Sequence, residues 1–354
     1  MGNRDRRAWS RLTASVGCLA LAAPGAALAV PASATTTDGV LETSTPPPAY
    51  AHVVVVVEEN HSYSDIVGNN GQAPYLNSLA DRGVSFTRSF AVTHPSQPNY
   101  IELFSGSTQG VTDDDCPQGP FHAPNLASEL AASGRTFAGY SEDLPGDGSP
   151  VCDSGAYARK HAPWTDFADV PSSVGRTFAR FPSDYNQLPT VSWVIPNLQH
   201  DMHDGTVAQA DTWLRNNLGG YARWAATHDS LLVVTWDEDD HSENNQIPTI
   251  LSGARLKPGR YAERVTHDRV LRTIEDMYGL SPIGNAASAL PVTDVFTGPA
   301  TNAPSQTPRG TNPGTSGGPD HRPTAAMCAG LGQALALMSL PGDLGEFLCA
   351  TGWS

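Results

Sequence analysis

Runs of apolar residues alternate with amphipathic segments through the middle of the chain, from about residue 50 to residue 296. The run His52-Val-Val-Val-Val-Val57 is continuous and β-branched, which is typical of a strand buried on both faces of a parallel sheet. Further strands are predicted at 84–90, 136–140, 190–195, 231–236 and 247–251. Helices are predicted at 73–82, 125–133, 207–214 and 264–278. This alternation predicts an α/β fold, with a doubly wound, mostly parallel sheet flanked by helices.

The two ends of the chain have a different pattern. Residues 1–34 combine four arginines with a short apolar stretch and small residues, which is typical of a cleaved signal peptide rather than of a membrane span. Residues 35–50 are predicted to be a leader. Residues 297–324, rich in Pro, Gly, Thr and Ser, are predicted to be a linker before a small Cys-containing segment at 325–354. We therefore expect a secreted protein, in an extracellular or periplasmic-type compartment, with one large domain at 51–296.

The number of cysteines is consistent with export. Cys18 lies in the predicted signal peptide, and four others remain, an even number that favours disulfides in an oxidising compartment. Pairing of neighbours gives Cys116–Cys152 and Cys328–Cys349, which is one of three possible connectivities. Four free buried thiols are the alternative.

The charge limits the class of partner. The 354 residues include 36 acidic and 21 basic side chains, for a net charge of −15. A surface that binds nucleic acid or an anionic membrane needs a basic footprint, so neither is expected as the main partner. A small phosphorylated substrate held through a metal ion is compatible with this acidity.

Polar side chains follow four of the predicted strands. The clusters lie at 58–61, 93–100, 197–204 and 237–241. Because functional groups in doubly wound folds collect at the carboxyl ends of the strands, we expect these clusters to form a single site rich in carboxylate, imidazole and hydroxyl groups.

The composition of these clusters indicates metal chemistry. Glu59 and Asn60, with Asp237 and Glu238, form an oxygen-rich set whose carboxylates repel each other unless a cation compensates. Such ligands suit Mg²⁺, Ca²⁺ or Mn²⁺, and also Zn²⁺ where His joins. A hydroxyl such as that of Ser96, placed against the metal, becomes a nucleophile. A helix beginning at Ser96 would offer N–H donors to a phosphate.

Four stretches carry a family resemblance: V-V-V-V-V-E-E-N-H-S-Y, T-H-P-S-Q-P-N-Y, N-L-Q-H-D-M-H-D-G and V-T-W-D-E-D-D. In this order they resemble the secreted phosphoesterase family of acid phosphatases and phospholipases C, within the alkaline phosphatase superfamily. The resemblance covers about residues 50–296 and implies an alkaline phosphatase-like phosphoesterase domain. Ser96-Gln97-Pro98-Asn99 also resembles the Thr-x-Pro-Asn turn of nucleotide pyrophosphatases, which favours Ser96 over Thr93 as the nucleophile.

The resemblance implies a role for each residue of the site. The metal ligands would be Glu59, Asn60, Ser96, Asp237 and Glu238. Ser96 would form a phosphoseryl intermediate, Asn99 would contact a phosphoryl oxygen, and Asn60 would touch metal or phosphate.

His200 and His203, with Asp201 between them, would bind a second metal or stabilise the phosphoryl group and the leaving oxygen. Related sequences often place a His before Ile-Pro-Thr, where this chain has Asn245-Gln246, and this departure favours one divalent metal over two.

The implied function is that of a metal-dependent phosphoric ester hydrolase, an acid-phosphatase-like phosphomonoesterase acting on a phosphorylated small molecule or lipid. The alternatives are a phospholipase C that releases a phosphorylated headgroup and a non-catalytic envelope or binding protein on the same fold. Asp113-Asp114-Asp115 has no partner cluster and is predicted to be a solvated loop outside the site. His161 is predicted to be structural or exposed.

Overall fold

A nine-stranded sheet forms the centre of residues 46–298, the part of the chain that the computed structural model describes. The predicted signal peptide, most of the predicted leader, the linker and the C-terminal segment with Cys328 and Cys349 lie outside these residues. The strands are β1 (His52–Glu58), β2 (Val84–Phe90), β3 (Phe137–Ser141), β4 (Asp153–Ser154), β5 (Tyr157–Ala158), β6 (Gly175–Thr177), β7 (Val191–Ile195), β8 (Ser230–Trp236), β9 (Gln246–Ile247), β10 (Thr249–Gly253) and β11 (Gly259–Thr266). The helices are α1 (Tyr63–Ile66), α2 (Pro74–Arg82), α3 (Ser96–Ser105), α4 (Leu126–Ala132), α5 (Val207–Ala225) and α6 (His267–Tyr278).

The sheet order is β11-β2-β10-β8-β1-β7-β3-β6, with β9 beside β2 and with β4 and β5 forming a separate pair. The strand β1 is parallel to both of its neighbours, β7 and β8. Only β10 and β9 run antiparallel within this sheet as described. The predicted mostly parallel sheet is therefore confirmed, and β1, β2, β7 and β8 end at the same edge.

Two hydrophobic cores cover the two faces of the sheet, as expected for a doubly wound fold. Val53, Val55 and Val57 of β1 belong to the core that also holds residues of α3, α4 and α6. Val54 and Val56 belong to the core under α2 and α5. Because successive side chains of a strand point to opposite faces, both faces of β1 require apolar residues. This explains the continuous β-branched run.

Three element boundaries differ from the predictions. The helix predicted at 264–278 begins at His267, because residues 264–266 complete β11 against β2. The helix predicted at 207–214 continues to Ala225. The strand predicted at 247–251 is divided by Pro248, which has no N–H to donate to a sheet ladder.

A disulfide joins Cys116 to Cys152, with the two Cα atoms 5.8 Å apart. This confirms the first of the two predicted pairs. The bond links the segment after α3 to the segment before β4. Across residues 46–298, no helix is both long and apolar enough to cross a membrane.

Candidate active site

The carboxyl ends of β1, β2, β7 and β8 bring the predicted polar clusters together. Ser96 is the first residue of α3 and is buried. Its Oγ donates a hydrogen bond to Oε2 of Glu59 at 3.0 Å and lies 3.5 Å from Oε1 of Glu238. The predicted helix start at Ser96 is thus present, and the hydroxyl faces two carboxylates.

Buried carboxylates dominate the site. Glu59 is 0% exposed and Asp237 is 1% exposed. Burial, reinforced by Asp237 and Asp201, raises the pKa of Glu59 well above its usual range. Burial raises the pKa of Asp237 and of Asp201 to about 7 and that of Glu238 to about 9. Such crowding of carboxyl groups destabilises their charged forms unless a cation lies among them.

His161 lies at the centre of this group, although its sequence context indicated a structural or exposed side chain. Its Nε2 lies 3.0 Å from Oε1 of Glu59, and its Nδ1 lies 3.3 Å from Oδ2 of Asp201. The ring stacks on Tyr100, with centroids 4.8 Å apart. His161 is buried as a structural residue would be, but its neighbours make it part of the site.

The donor set fits a divalent cation. One ligand atom each from Glu59, His161 and Asp201 lie within 4.8 Å of one another. Nε2 of His161, Oδ2 of Asp201 and Oδ2 of Asp237 are buried and have no hydrogen-bond partner among the described residues. Unpaired buried polar atoms are costly, and a metal ion held by this group would pair with donor atoms of His161 and Asp201. This group shares Glu59 with the predicted ligand set.

The two predicted asparagines have well-defined partners. The backbone N–H of Asn60 donates to Oδ1 of Asp237 at 3.1 Å. Oδ1 of Asn99 accepts from the N–H groups of Val92 and Thr93. Nδ2 of Asn99 lies within hydrogen-bond distance of Oε2 of Glu238, at 3.2 Å, and of the Thr93 carbonyl oxygen, at 2.8 Å. Asn99 therefore ties the turn before Ser96 to a predicted metal ligand.

The two predicted histidines differ in position. Nδ1 of His203 lies 2.8 Å from Oδ1 of Asp204, and the backbone N–H of His203 donates to Oδ1 of Asp201. Its ring centroid is 6.0 Å from that of His161, so His203 belongs to the site.

His200 lies apart from it. Nδ1 of His200 is 2.9 Å from Oε2 of Glu142, and its ring stacks on Trp213. Within residues 46–298 its described contacts do not reach Ser96 or Glu59.

Two further residues of the site were not predicted, Asp114 and Lys160. Oδ1 of Asp114 accepts from the backbone N–H of Gln97 at 2.9 Å. Nζ of Lys160 lies 2.8 Å from Oδ2 of Asp114 and 3.3 Å from Nε2 of His203. Burial opposes the charge of Lys160, but the surrounding carboxylates outweigh it and raise the pKa. The expectation that the 113–115 run lies outside the site is therefore wrong for Asp114.

Polar contacts connect the segment after β8 to the turn before Ser96. Nδ1 and Nε2 of His94 lie 3.0 Å and 3.2 Å from carboxylate oxygens of Glu238 and Asp239, respectively. Nδ2 of Asn245 donates to the carbonyl of Thr93, and its backbone N–H donates to Oδ2 of Asp239. Asn245 thus has a structural role here.

The sequence matches the model of the Phosphoesterase family over residues 69–281, more than half of the chain. It is 53% identical over 251 residues to a Mycobacterium tuberculosis protein named phosphatidylinositol-3-phosphatase, covering 70% of this chain and 84% of that one. It is 30% identical over 227 residues to the phosphate-repressible acid phosphatase of Penicillium chrysogenum, covering 59% of this chain and 55% of the relative. The chain thus spans about half the length of this fungal relative.

The fold is also similar to a solved structure, that of a protein in the alkaline phosphatase superfamily from Vibrio parahaemolyticus. The sequences are 13% identical, the match covers 70% of this chain and 72% of that one, and the TM-score is 0.46.

Proposed function

The chain belongs to the Phosphoesterase family and is a phosphoric ester hydrolase, and we propose that it is a metal-dependent phosphomonoesterase with Ser96 as its nucleophile. One observation carries the proposal. The Ser96 hydroxyl lies at the N-terminus of α3 and donates to Glu59 within a buried group of carboxylates. A helix N-terminus provides N–H donors for phosphoryl oxygens, and Glu59 holds the hydroxyl in one orientation.

The proposed reaction is a double displacement. Ser96 Oγ attacks phosphorus, the bond from phosphorus to the ester oxygen breaks, and a phosphoseryl group forms. The hydroxyl proton leaves toward Oε2 of Glu59, which already accepts its hydrogen bond. We assign delivery of a proton to the leaving oxygen to His203, whose ring is held by Asp204. Water then attacks phosphorus and gives a proton to the His203 ring, the bond from phosphorus to Ser96 Oγ breaks, and the proton held by Glu59 returns to Oγ, which releases phosphate and restores Ser96.

Two groups of residues would hold a divalent cation. Glu59, Asp237 and Glu238, with Asn60 and Ser96, are the set that the family resemblance implies. Glu59, His161 and Asp201 are a second set, whose ligand atoms lie within 4.8 Å of one another. A bound Mg²⁺, Ca²⁺, Mn²⁺ or Zn²⁺ supplies positive charge that acidifies a nearby hydroxyl and offsets phosphoryl charge. We propose one such ion, or two if both groups are filled.

The substrate is proposed to be a phosphomonoester. The fungal relative is named an acid phosphatase, which supports a small soluble ester. A lipid phosphomonoester is the second candidate, supported by the identity of 53% to a protein named phosphatidylinositol-3-phosphatase along 84% of that protein. A phospholipase C would instead cleave a diester, and neither of these relatives carries such a name. The non-catalytic alternative is not retained, because the chain belongs to a family of hydrolases.

We further propose that the enzyme acts after export. The apolar N-terminal segment supports a signal peptide, and the Cys116–Cys152 disulfide supports an oxidising compartment.

Replacement of Ser96 by Ala tests the nucleophile. We expect Ser96→Ala to abolish hydrolysis of p-nitrophenyl phosphate while its circular dichroism and melting temperature stay close to those of the wild type. Thr93→Ala is the matched control, since Thr93 is the rival hydroxyl on the same turn, and it should retain turnover. Activity retained by Ser96→Ala and lost by Thr93→Ala would overturn the assignment.

A further inference from the structure

The carboxylate of Asp114 accepts a hydrogen bond from a backbone N–H next to the proposed nucleophile. Its Oδ1 accepts from the backbone N–H of Gln97, the residue after Ser96 in the first turn of α3. Its side chain is 31% exposed, so the carboxylate is anchored to α3 and still partly open to solvent. A carboxylate at a helix N-terminus takes the same N–H groups that a phosphoryl oxygen would take.

The second carboxylate oxygen of Asp114 forms an ion pair with the ammonium group of Lys160. Nζ of Lys160 lies 2.8 Å from Oδ2 of Asp114 and 3.3 Å from Nε2 of His203. The Lys160 side chain is only 16% exposed, and it is adjacent in sequence to His161, which faces Glu59. An ammonium group in this position lies between the helix N-terminus and the histidine assigned to the leaving oxygen. It can pair with an incoming phosphate as readily as with Asp114.

The proposed cation site and a disulfide adjoin this position. Nε2 of His161, the residue after Lys160, is buried without a hydrogen-bond partner among the residues described, and so is Oδ2 of Asp237, as expected where a cation and the phosphoryl group it binds would lie. The Cys116–Cys152 disulfide ties the segment that carries Asp114 to the segment that leads to Lys160. The two segments are therefore linked covalently, and the Asp114 side chain is partly exposed to solvent.

We propose that Asp114 is an internal anion at the phosphoryl-binding position and that a substrate phosphate displaces it, taking over the Gln97 N–H and the Lys160 ammonium. The inference rests on the proposed function and adds two residues to it. Lys160 becomes a phosphate-binding residue, and Asp114 becomes a competitor that every anionic ligand must displace. A phosphomonoester dianion pairs with Lys160 more strongly than a diester monoanion does, so the exchange favours monoesters.

Binding of inorganic phosphate to the full chain, measured by isothermal titration calorimetry, tests the exchange. We expect Asp114→Asn to bind phosphate on the order of tenfold more tightly than the wild type, because the amide competes weakly for Lys160. Lys160→Met should bind on the order of tenfold more weakly. Asp115→Asn makes the same charge change one residue along the chain, at an exposed side chain, and should leave the affinity within about twofold.

Each outcome of the titration supports or contradicts the proposed exchange. Phosphate affinity that is unchanged or weaker in Asp114→Asn overturns the proposal, and weakening that matches Lys160→Met shows that Asp114 only positions the lysine. Asp114→Ser is a second neutral variant for the case in which Asp114→Asn does not fold, which circular dichroism reports. A wild type that does not hydrolyse p-nitrophenyl phosphate contradicts the proposed function. An active wild type with unchanged phosphate affinity in Asp114→Asn contradicts only this inference.

Discussion

The hydroxyl of Tyr100 donates a hydrogen bond of 2.5 Å to Oε1 of Glu59. The other oxygen of the same carboxylate accepts from Ser96, so Glu59 is held from both sides. Tyr100 is fully buried and stacks on His161. It therefore fixes the orientation of a carboxylate that we assign to the metal site.

Tyr100→Phe should weaken metal binding while the fold persists. The phenyl ring preserves the packing against His161, but Glu59 loses one of its two hydroxyl donors. Loss of a group that orients a metal ligand commonly costs about 10–100-fold in metal affinity or activity. We expect a rise of that order in the cation concentration needed for half-maximal turnover, with activity recovering at saturating cation.

Tyr278→Phe is the matched control for this change. Tyr278 is also buried, and its hydroxyl donates to the carbonyl of Tyr50, which precedes β1. Its loss should leave the cation requirement unchanged. An equal rise in both variants would show that the effect comes from general loosening of the core.

Asp237→Asn should stabilise the metal-free protein and weaken its binding of a cation. Its carboxylate lies in a buried group whose charges repel each other in the absence of a cation. The amide removes one of these charges, so the protein treated with a chelator should be stabilised by on the order of 1 kcal/mol. The added stability that a saturating cation gives the wild type should be reduced, since ligand-linked stabilisation follows affinity.

Thermal unfolding with chelator and with added cation measures both effects, and Asp115→Asn serves as an exposed control of equal charge. A chelated Asp237→Asn protein less stable than the chelated wild type, with full stabilisation by cation, would remove Asp237 from the metal site.

Glu275→Gln should change how stability depends on pH, away from the site. Burial raises the pKa of Glu275 to about 7, while one of its oxygens accepts from the N–H of Ile283 and the other has no hydrogen-bond partner among the described residues. Between pH 4.5 and 7 the folded protein keeps this proton and the unfolded chain loses it. The stabilising contribution of Glu275 to the free energy of unfolding is therefore present at low pH and is lost as the pH rises through this window.

The glutamine variant carries no such charge and still accepts from Ile283. It should be more stable than the wild type by on the order of 1–2 kcal/mol at pH 8 and equal to it at pH 4. Urea unfolding at both pH values measures the difference. An advantage at pH 4 that disappears at pH 8 has the opposite sign and would contradict the argument.

The parts of the site that could be predicted are those that follow strands. Glu59 and Asp237 come directly after buried, mostly apolar strands, and Ser96 begins a helix at a recognisable turn. Their convergence follows from the parallel sheet alone. Lys160 and His161 follow no such strand, since they lie in a short 3-10 turn whose position depends on long-range packing. Asp114 lies in an irregular segment for the same reason.

The strand β11 escaped prediction for a related reason. It is an edge strand, and its exposed and half-buried residues, such as Arg260 and Arg264, alternate without an apolar face until Val265. Charged edge strands of this kind limit pairing between molecules, and their composition is that of a loop. The cysteines were the one available signal for the missing residues of the site, because Cys116 follows Asp114 closely and pairs with Cys152, which precedes Lys160.

Removal of this disulfide should lower both stability and phosphate binding. The bond closes a loop with a sequence separation of 36 residues, and a cross-link of this size stabilises a protein by about 3–4 kcal/mol through the unfolded chain. We expect the free energy of unfolding of the Cys116→Ser, Cys152→Ser double variant, measured with guanidinium, to be lower by that amount. It should also bind phosphate more weakly, because the Lys160 segment is no longer tied to the segment after α3. Reduction of the wild type with dithiothreitol should reproduce both changes, and the same treatment of the double variant measures any separate effect of the predicted Cys328–Cys349 pair. A double variant with wild-type phosphate affinity would show that packing alone holds Lys160 in the site.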